Sequence, residues 1–395
     1  MGLTILAATL ALAGCGDVTT PTPRPTRTPR PTPTPVVSPT PTPTLAPTPT
    51  PSSGISAVGS MVEAHLGQTA TLLQDGRVLI TGGTDALGRA LNTADVYDPK
   101  TGAFTATGPM NEARSNHSAA LLPDGRVLIA GGAGTTAELY YPATGKFIEV
   151  GSMTAARYSA TATTLSDGRV LVAGGTTGTK PLATAELFNP ATGNFLATGS
   201  MTVGRSVHTA TLLANGTVLI AGGGSGTVQL ATAETYNPTT GKFKATVGKM
   251  HSVRAGAAAI RLSDGRVLIV GGLKTTFTTG KTGKTTTTYL ATAEIYNPAN
   301  GKFSSTGGMT AGREYAALAL LKNGTVVVAG GLSKGFAPLG TVELFNSAGG
   351  GFKAAGNMST KRAFCTATTL QDGHVLIVGG WADNKALASA ELYNP

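Results

Sequence analysis

The sequence predicts an all-β protein built as a ring of seven four-stranded sheets, a seven-bladed β-propeller. Three observations predict it. A Gly-Gly pair closes an apolar run seven times, at Gly82-Gly83, Gly131-Gly132, Gly174-Gly175, Gly222-Gly223, Gly271-Gly272, Gly330-Gly331 and Gly379-Gly380. A tight Asp-Gly or Asn-Gly turn precedes each run, beginning at Asp75, Asp124, Asp167, Asn215, Asp264, Asn323 and Asp372; such pairs tolerate positive φ and are the strongest short hairpin signal. The period lies near 50 residues, a length that suits one sheet per repeat. Composition agrees. With 54 glycines, 13 % charged and 41 % hydrophobic residues, the chain favours short strands and tight turns over helices.

The first elements lie outside the repeats. Residues 3–13 form an apolar run too short to span a bilayer, which reads as the core of a signal peptide, residues 1–15. It ends in Leu12-Ala13-Gly14-Cys15, which resembles the bacterial lipobox and implies cleavage before Cys15 and lipidation of its thiol. Met1-Gly2-Leu3-Thr4 carries no Lys or Arg, so the usual positive flank is missing. Plain secretion and a misplaced start site therefore stay open as alternatives. Residues 16–54 are dominated by alternating Thr and Pro. Proline fixes φ and removes donors, so this stretch reads as extended polyproline II, a stalk without a core. At about 3.1 Å per residue, some 30 residues reach on the order of 90 Å. The only other cysteine is Cys365, so an anchored Cys15 leaves no disulfide.

Residues 55–395 carry the repeats. The first strand of each is small and apolar, as in Thr209-Ala210-Thr211-Leu212-Leu213, which suits strands crowded around an axis. The second, as in Val267-Leu268-Ile269-Val270, ends at the glycine pair. The third is Ala-Glu-x-Tyr-Asn-Pro, as at 293–298, and a Thr-Gly-x-Phe turn such as Thr192-Gly193-Asn194-Phe195 opens the fourth. The seventh repeat stops at Asn394-Pro395, before a fourth strand. Ile55 lies ahead of Met61 as Phe104 lies ahead of Met110, so the N-terminal strand is expected to complete the last blade. A ring closed this way has no free sheet edge.

These repeats resemble the kelch repeat over nearly all of residues 55–395, nearest to its bacterial and galactose-oxidase-like branch. The glycine pair and the tyrosine after an acidic residue are present; the usual fourth-strand tryptophan is phenylalanine, as at Phe104, Phe147 and Phe195.

Strand direction sorts the loops onto two faces. Short Asp-Gly and Pro-x-Thr-Gly turns share one; fourth-to-first and second-to-third loops share the other, where all length variation falls. That variable face is the expected binding face. Four residues after each Gly-x-Met methionine stand Arg114, Arg157, Arg205, Arg254, Arg313 and Arg362, with His65 in the first repeat. They read either as a cationic mouth for an anionic ligand or as ion pairs with one third-strand acid per repeat: Asp95, Glu138, Glu186, Glu234, Glu294, Glu343 and Glu391. Residues that break the symmetry are further candidates: His117, His208, Tyr158, Glu314, Tyr315 and Trp381, with Cys365 as an inert hydrophobe. Phe277, Tyr289 and Phe336 fall in second-to-third loops. Exposed aromatics beside arginine suit sugar stacking or peptide capture, or simply cover loop bases. The long fifth-repeat insert, with Lys274, Lys281 and Lys284, reads as a solvated loop or a docking arm.

No metal-binding spacing appears, and His65, His117, His208, His251 and His374 are scattered. The net charge is +10 without a dominant basic run, so nucleic acid is not the expected partner. The expectation is a monomeric, cofactor-free, non-enzymatic module that binds protein or glycan, is extracytoplasmic, and meets the membrane only through its lipid. The resemblance keeps a carbohydrate-active enzyme as the alternative: a sialic-acid mutarotase type, with Arg313 for the sugar carboxylate and Glu314 as acid/base, or a copper-dependent galactose-oxidase type.

Overall fold

A computed structural model describes residues 54–278 and 284–395. The signal run, Cys15, the stalk as far as residue 53 and Lys281 lie outside the described residues, as do the side chains of Phe277 and Lys284. Every regular element described is a β-strand.

Seven four-stranded antiparallel sheets follow the repeats, over residues 69–106, 118–149, 161–197, 209–245, 258–305, 317–357 and 366–394. The seventh takes its outer strand from the other end of the chain. Gly54–Ala57 pairs antiparallel with Ala390–Asn394, with Gly54 opposite Asn394 and Ala57 opposite Glu391. Each first strand packs against the first strands of both neighbours, and Thr366–Thr369 packs against Thr69–Leu72, which closes the ring. The expected fold and its closure are both present.

The second strands, such as Val218–Ala221 and Val267–Val270, are buried along their whole length. That is why they read as unbroken apolar runs rather than alternating ones. The core lies between blades: Leu73, Leu79 and Met110 of the first pack against Val127, Ile129 and Tyr140 of the second. Each such side chain contributes about 1.5–3 kcal/mol on burial. A third-strand aromatic meets the fourth-strand phenylalanine in six blades, as in Tyr97–Phe104 at 4.9 Å and Phe345–Phe352 at 5.0 Å. In the seventh, Ile55 stands opposite Tyr393 instead.

The glycine pairs have a steric cause. A Cβ on Gly82 would sit 2.6 Å from the Arg114 carbonyl oxygen, and one on Gly83 2.7 Å from that of Leu66. Only bare backbone lets the leading loops of the next blade, at Gly82, and of the same blade, at Gly83, close down here. On the variable face, blades four to seven add short hairpins: Gly224–Ser225 with Val228–Gln229, Leu273–Thr278 with Lys284–Tyr289, Leu332–Ser333 with Ala337–Pro338, and Trp381–Ala382 with Lys385–Ala386. Gln229 accepts a bond from the Thr275 backbone at 3.1 Å, joining the first two. The loops of blades one and three are closed by single bridges, Thr84 with Ala90 and Thr176 with Pro181, and the loop of blade two is the short one.

Candidate functional site

The arginine series is not a cationic mouth. Arg114, Arg157, Arg205, Arg254, Arg313 and Arg362 are all buried beneath the face. The Arg205 backbone belongs to one blade: its N–H donates to Leu182 and its carbonyl accepts from Gly175. Its side chain belongs to the next, where Nη1 donates to the Gly222 and Thr232 carbonyls and Nη2 to Glu234. The same pattern joins Arg114 to Glu138 at 2.7 Å, Arg157 to Glu186 at 2.9 Å, Arg254 to Glu294 at 2.9 Å and Arg362 to Glu391 at 2.8 Å, and also joins Arg313 to Glu343. Each acid also accepts a backbone N–H from the residue after the preceding methionine, as Glu186 does from Thr154 at 2.8 Å. Buried and paired across the seam, these are structural staples, with Arg205 Nε and Arg362 Nε alone among the six left without a hydrogen-bond partner. Burial draws Arg205, Arg254 and Arg313 below their ordinary value while the facing glutamate opposes it.

His65 takes the seventh staple position, between the last blade and the first. Its Nδ1–H donates to the Gly82 carbonyl at 2.6 Å, and its Nε2 lies 3.6 Å from Asp95. His117 and His208 are not surface ligands either. His117 Nε2 lies 3.0 Å from the Thr81 hydroxyl and His208 Nε2 3.0 Å from that of Thr161, each on the preceding blade. Burial and then the adjacent Arg114 or Arg205 charge pull both imidazoles down to about 3, so they are neutral packing groups. Burial pushes the Cys365 thiol up to about 11, as befits an inert side chain.

What surrounds the axis is the residue two places after each staple: Gly67, Asn116, Ser159, Val207, Gly256, Tyr315 and Phe364. All seven have positive φ, between 47° and 70°. Their backbones link in a chain: Ser159 N–H donates to Asn116, Val207 to Ser159, Gly256 to Val207, Tyr315 to Gly256 and Phe364 to Tyr315. A left-handed conformation is strained for bulky residues, above all for β-branched Val207. Glycine at 67 and 256 and asparagine at 116 carried the signal of this lip.

The lip's chemistry gathers on blades five to seven. Tyr315 and Phe364 stack with ring centroids 4.3 Å apart and planes at 30°. Gly256 has no side chain, and neighbours fill the gap: Glu314 Oε2 and Tyr315 Cζ both lie 3.2 Å from where its Cβ would be. Glu314 is 7 % exposed. Alone among the buried acids of the described residues it has no ion pair. Burial pushes it up to about 7. Tyr289, on the blade-five hairpin, and Tyr315 are both raised by burial and then by the Glu314 charge. The structure thus unites Glu314 and Tyr315 with Tyr289 and Phe364. Tyr158 stands apart on blade three, its backbone bridged to Thr176. Trp381 is half-buried at the base of the blade-seven hairpin, its backbone bridged to Ala363. Phe336, 37 % exposed, tips the blade-six hairpin.

Among the described residues, no three His, Cys, Asp or Glu side chains converge as metal ligands. A copper centre of tyrosine and histidine does not fit the lip. Its two phenols have no imidazole beside them: His65, His117 and His208 are buried between blades, His251 is held by Glu294, and His374 sits with Asp372 in a tight turn.

A family model described as Kelch motif matches residues 67–111, the first repeat. No curated protein matches the chain. Among solved structures, it is similar to a novel fungal alcohol oxidase of the AA5 family in complex with copper, with 17 % identity and a TM-score of 0.71, covering 87 % of this chain and 76 % of that one. It is also similar to YjhT, with 17 % identity and a TM-score of 0.55, covering 71 % of this chain and 95 % of that one. At such identities the likeness is one of fold.

Proposed function

We propose that this seven-bladed propeller with its kelch motif is a binding module that takes a protein or glycan ligand at the lip of its variable face. The observation that carries the reading is the aromatic and carboxylate cluster of Glu314, Tyr315, Phe364 and Tyr289 on the lip, beside the hairpins of blades five to seven. Symmetric features of a propeller serve the blades; this cluster occurs once. Function is argued from that site and not from the fold, which supports many activities.

For the setting we propose an extracytoplasmic, monomeric domain; the lipobox-like run and the Thr/Pro stretch support a tether through Cys15 and a stalk. Gly54 pairs with Asn394 on the tight-turn face. A tether arriving there leaves the lip pointing away from the membrane. A glycan array and a pull-down from envelope extract test the reading and separate its two ligand classes. A ligand retained by the lip supports it; retention only through the tight-turn face overturns it.

One observation favours a second reading, a carbohydrate-active enzyme: Glu314, raised to about 7, is poised for proton transfer near neutrality. Its imagined partner Arg313 is withdrawn, being buried against Glu343, so any sugar carboxylate would need another cation. Turnover of sialic acid or galactose, with and without copper, would establish this reading.

A further inference from the structure

We propose that the recessed Glu314 carboxylate, beside Gly256 on the lip, is a subsite for an organic cation, the side chain of a lysine or arginine presented by a protein partner. The inference rests on the reading of the lip as the ligand face and names what enters it.

The argument begins with charge pairing. Each blade has one buried third-strand acid, and each has its basic group: six arginines and His65. Glu314 is an eighth buried acid, and no base faces it among the described residues. A desolvated carboxylate without a counter-charge is costly, and an arriving cation offsets that cost and favours its ionised form. Its chain neighbour Arg313 is turned to Glu343. The other titratable groups set around it are phenols, Tyr289 from the blade-five hairpin and Tyr315 from its own loop, both raised above the ordinary phenol value by burial.

The surroundings fit the same ligand. Outside their mutual stack, the rings of Tyr315 and Phe364 offer faces and edges that suit a cation through the ring quadrupole and the aliphatic stem of a long basic side chain. Glu314 is recessed at 7 % exposure, so a charge on a slender stem reaches it more easily than one set on a ring. Around the lip, the second-to-third loops expose Leu87, Val228 and Phe336, apolar points that suit a protein surface more than a glycan. The chain's overall charge of +10 repels cations, so cation capture would report the local site and not the general field.

The test titrates the full chain with Nα-acetyl-lysine methylamide, its norleucine analogue and glucosamine, followed by NMR. The lysine probe is expected to bind and the other two not. Glu314→Gln should weaken the lysine probe at least tenfold while leaving the melting temperature at pH 8 equal or higher. In the unaltered chain, affinity should rise about tenfold from pH 6 to pH 8 as the carboxyl ionises around its value of about 7, and should stay flat in the variant. Equal binding of norleucine, preference for glucosamine, or lysine binding indifferent to both Glu314→Gln and pH overturns the proposal. If envelope ligands are still captured in that case, the lip remains a binding face and only the cation subsite falls.

Discussion

Arg205 and Glu234 face each other at 3.0 Å in the seam between the third and fourth blades, and neither side chain reaches solvent. Removing one partner leaves the other charged and buried, which costs about 3–5 kcal/mol. Arg205→Met should therefore lower stability by that amount in urea denaturation, and Arg205→Met with Glu234→Leu should recover most of it. Unchanged melting together with lost ligand capture would return the arginines to the binding face.

The seam between the seventh and first blades is stapled differently. His65 and Asp95 are both shorter than the arginine and glutamate elsewhere and stand 3.6 Å apart, and here base and acid each have an atom without a hydrogen-bond partner, whereas in the arginine seams only Arg205 Nε and Arg362 Nε do. The lip's backbone chain also carries no bond to Gly67 from either side. Restoring the common pair with His65→Arg and Asp95→Glu together should stabilise the ring by about 0.5–2 kcal/mol. Thermal melting at fixed pH checks this; a lower melting point would mean that the seam is fitted to its present pair.

Glu314 sets a pH dependence. Its folded value is raised from 4.5 to about 7 by burial. A carboxyl raised on folding stabilises the fold fully below its unfolded value, and that contribution is lost as pH climbs through the folded one. Glu314→Gln abolishes the loss. The variant should match the unaltered chain near pH 4.5 and surpass it above pH 7, by on the order of 2–3 kcal/mol. Parallel stability curves from pH 5 to pH 8 would contradict this.

Strand closure gives a fourth prediction. Ile55 stands opposite Tyr393 and packs on the cluster that holds Met358 and Tyr393. Deleting Gly54–Ala57 strips the outer strand from the last blade and bares the edge of Ala390–Asn394. The melting temperature should fall by about 10 °C or more, with concentration-dependent association through the open edge. A deletion that melts like the parent would show that the ring does not depend on this strand.

The sequence carried the frame well because a repeat states its register seven times. Gly82-Gly83 and Asp75-Gly76 each fix a backbone geometry that few other residues allow, so strand order, turn placement and closure could be read from spacing alone. Side-chain direction could not. Arg313 and Glu314 looked like one site, yet consecutive residues in extended chain point to opposite sides. Arg313 turns inward to Glu343, and Glu314 turns to the lip. His117 and His208 broke the repeat pattern, but they did so inside the seams, where threonines of the preceding blade accommodate them. The left-handed lip was half legible: Gly67, Asn116 and Gly256 suit that conformation, whereas Val207, Tyr315 and Phe364 conceal it. Phe364, which completes the stack with Tyr315, carries no such signal in the sequence.

The most direct measurement is capture of ligand from envelope extract by the unaltered chain and by a Tyr315→Asn/Phe364→Asn variant. Asparagine tolerates the left-handed backbone at both positions, so the fold is preserved while the aromatic faces are removed. The account predicts loss of the captured ligand with melting within a few degrees of the parent. Undiminished capture by a folded variant would contradict it and move the binding surface away from the lip.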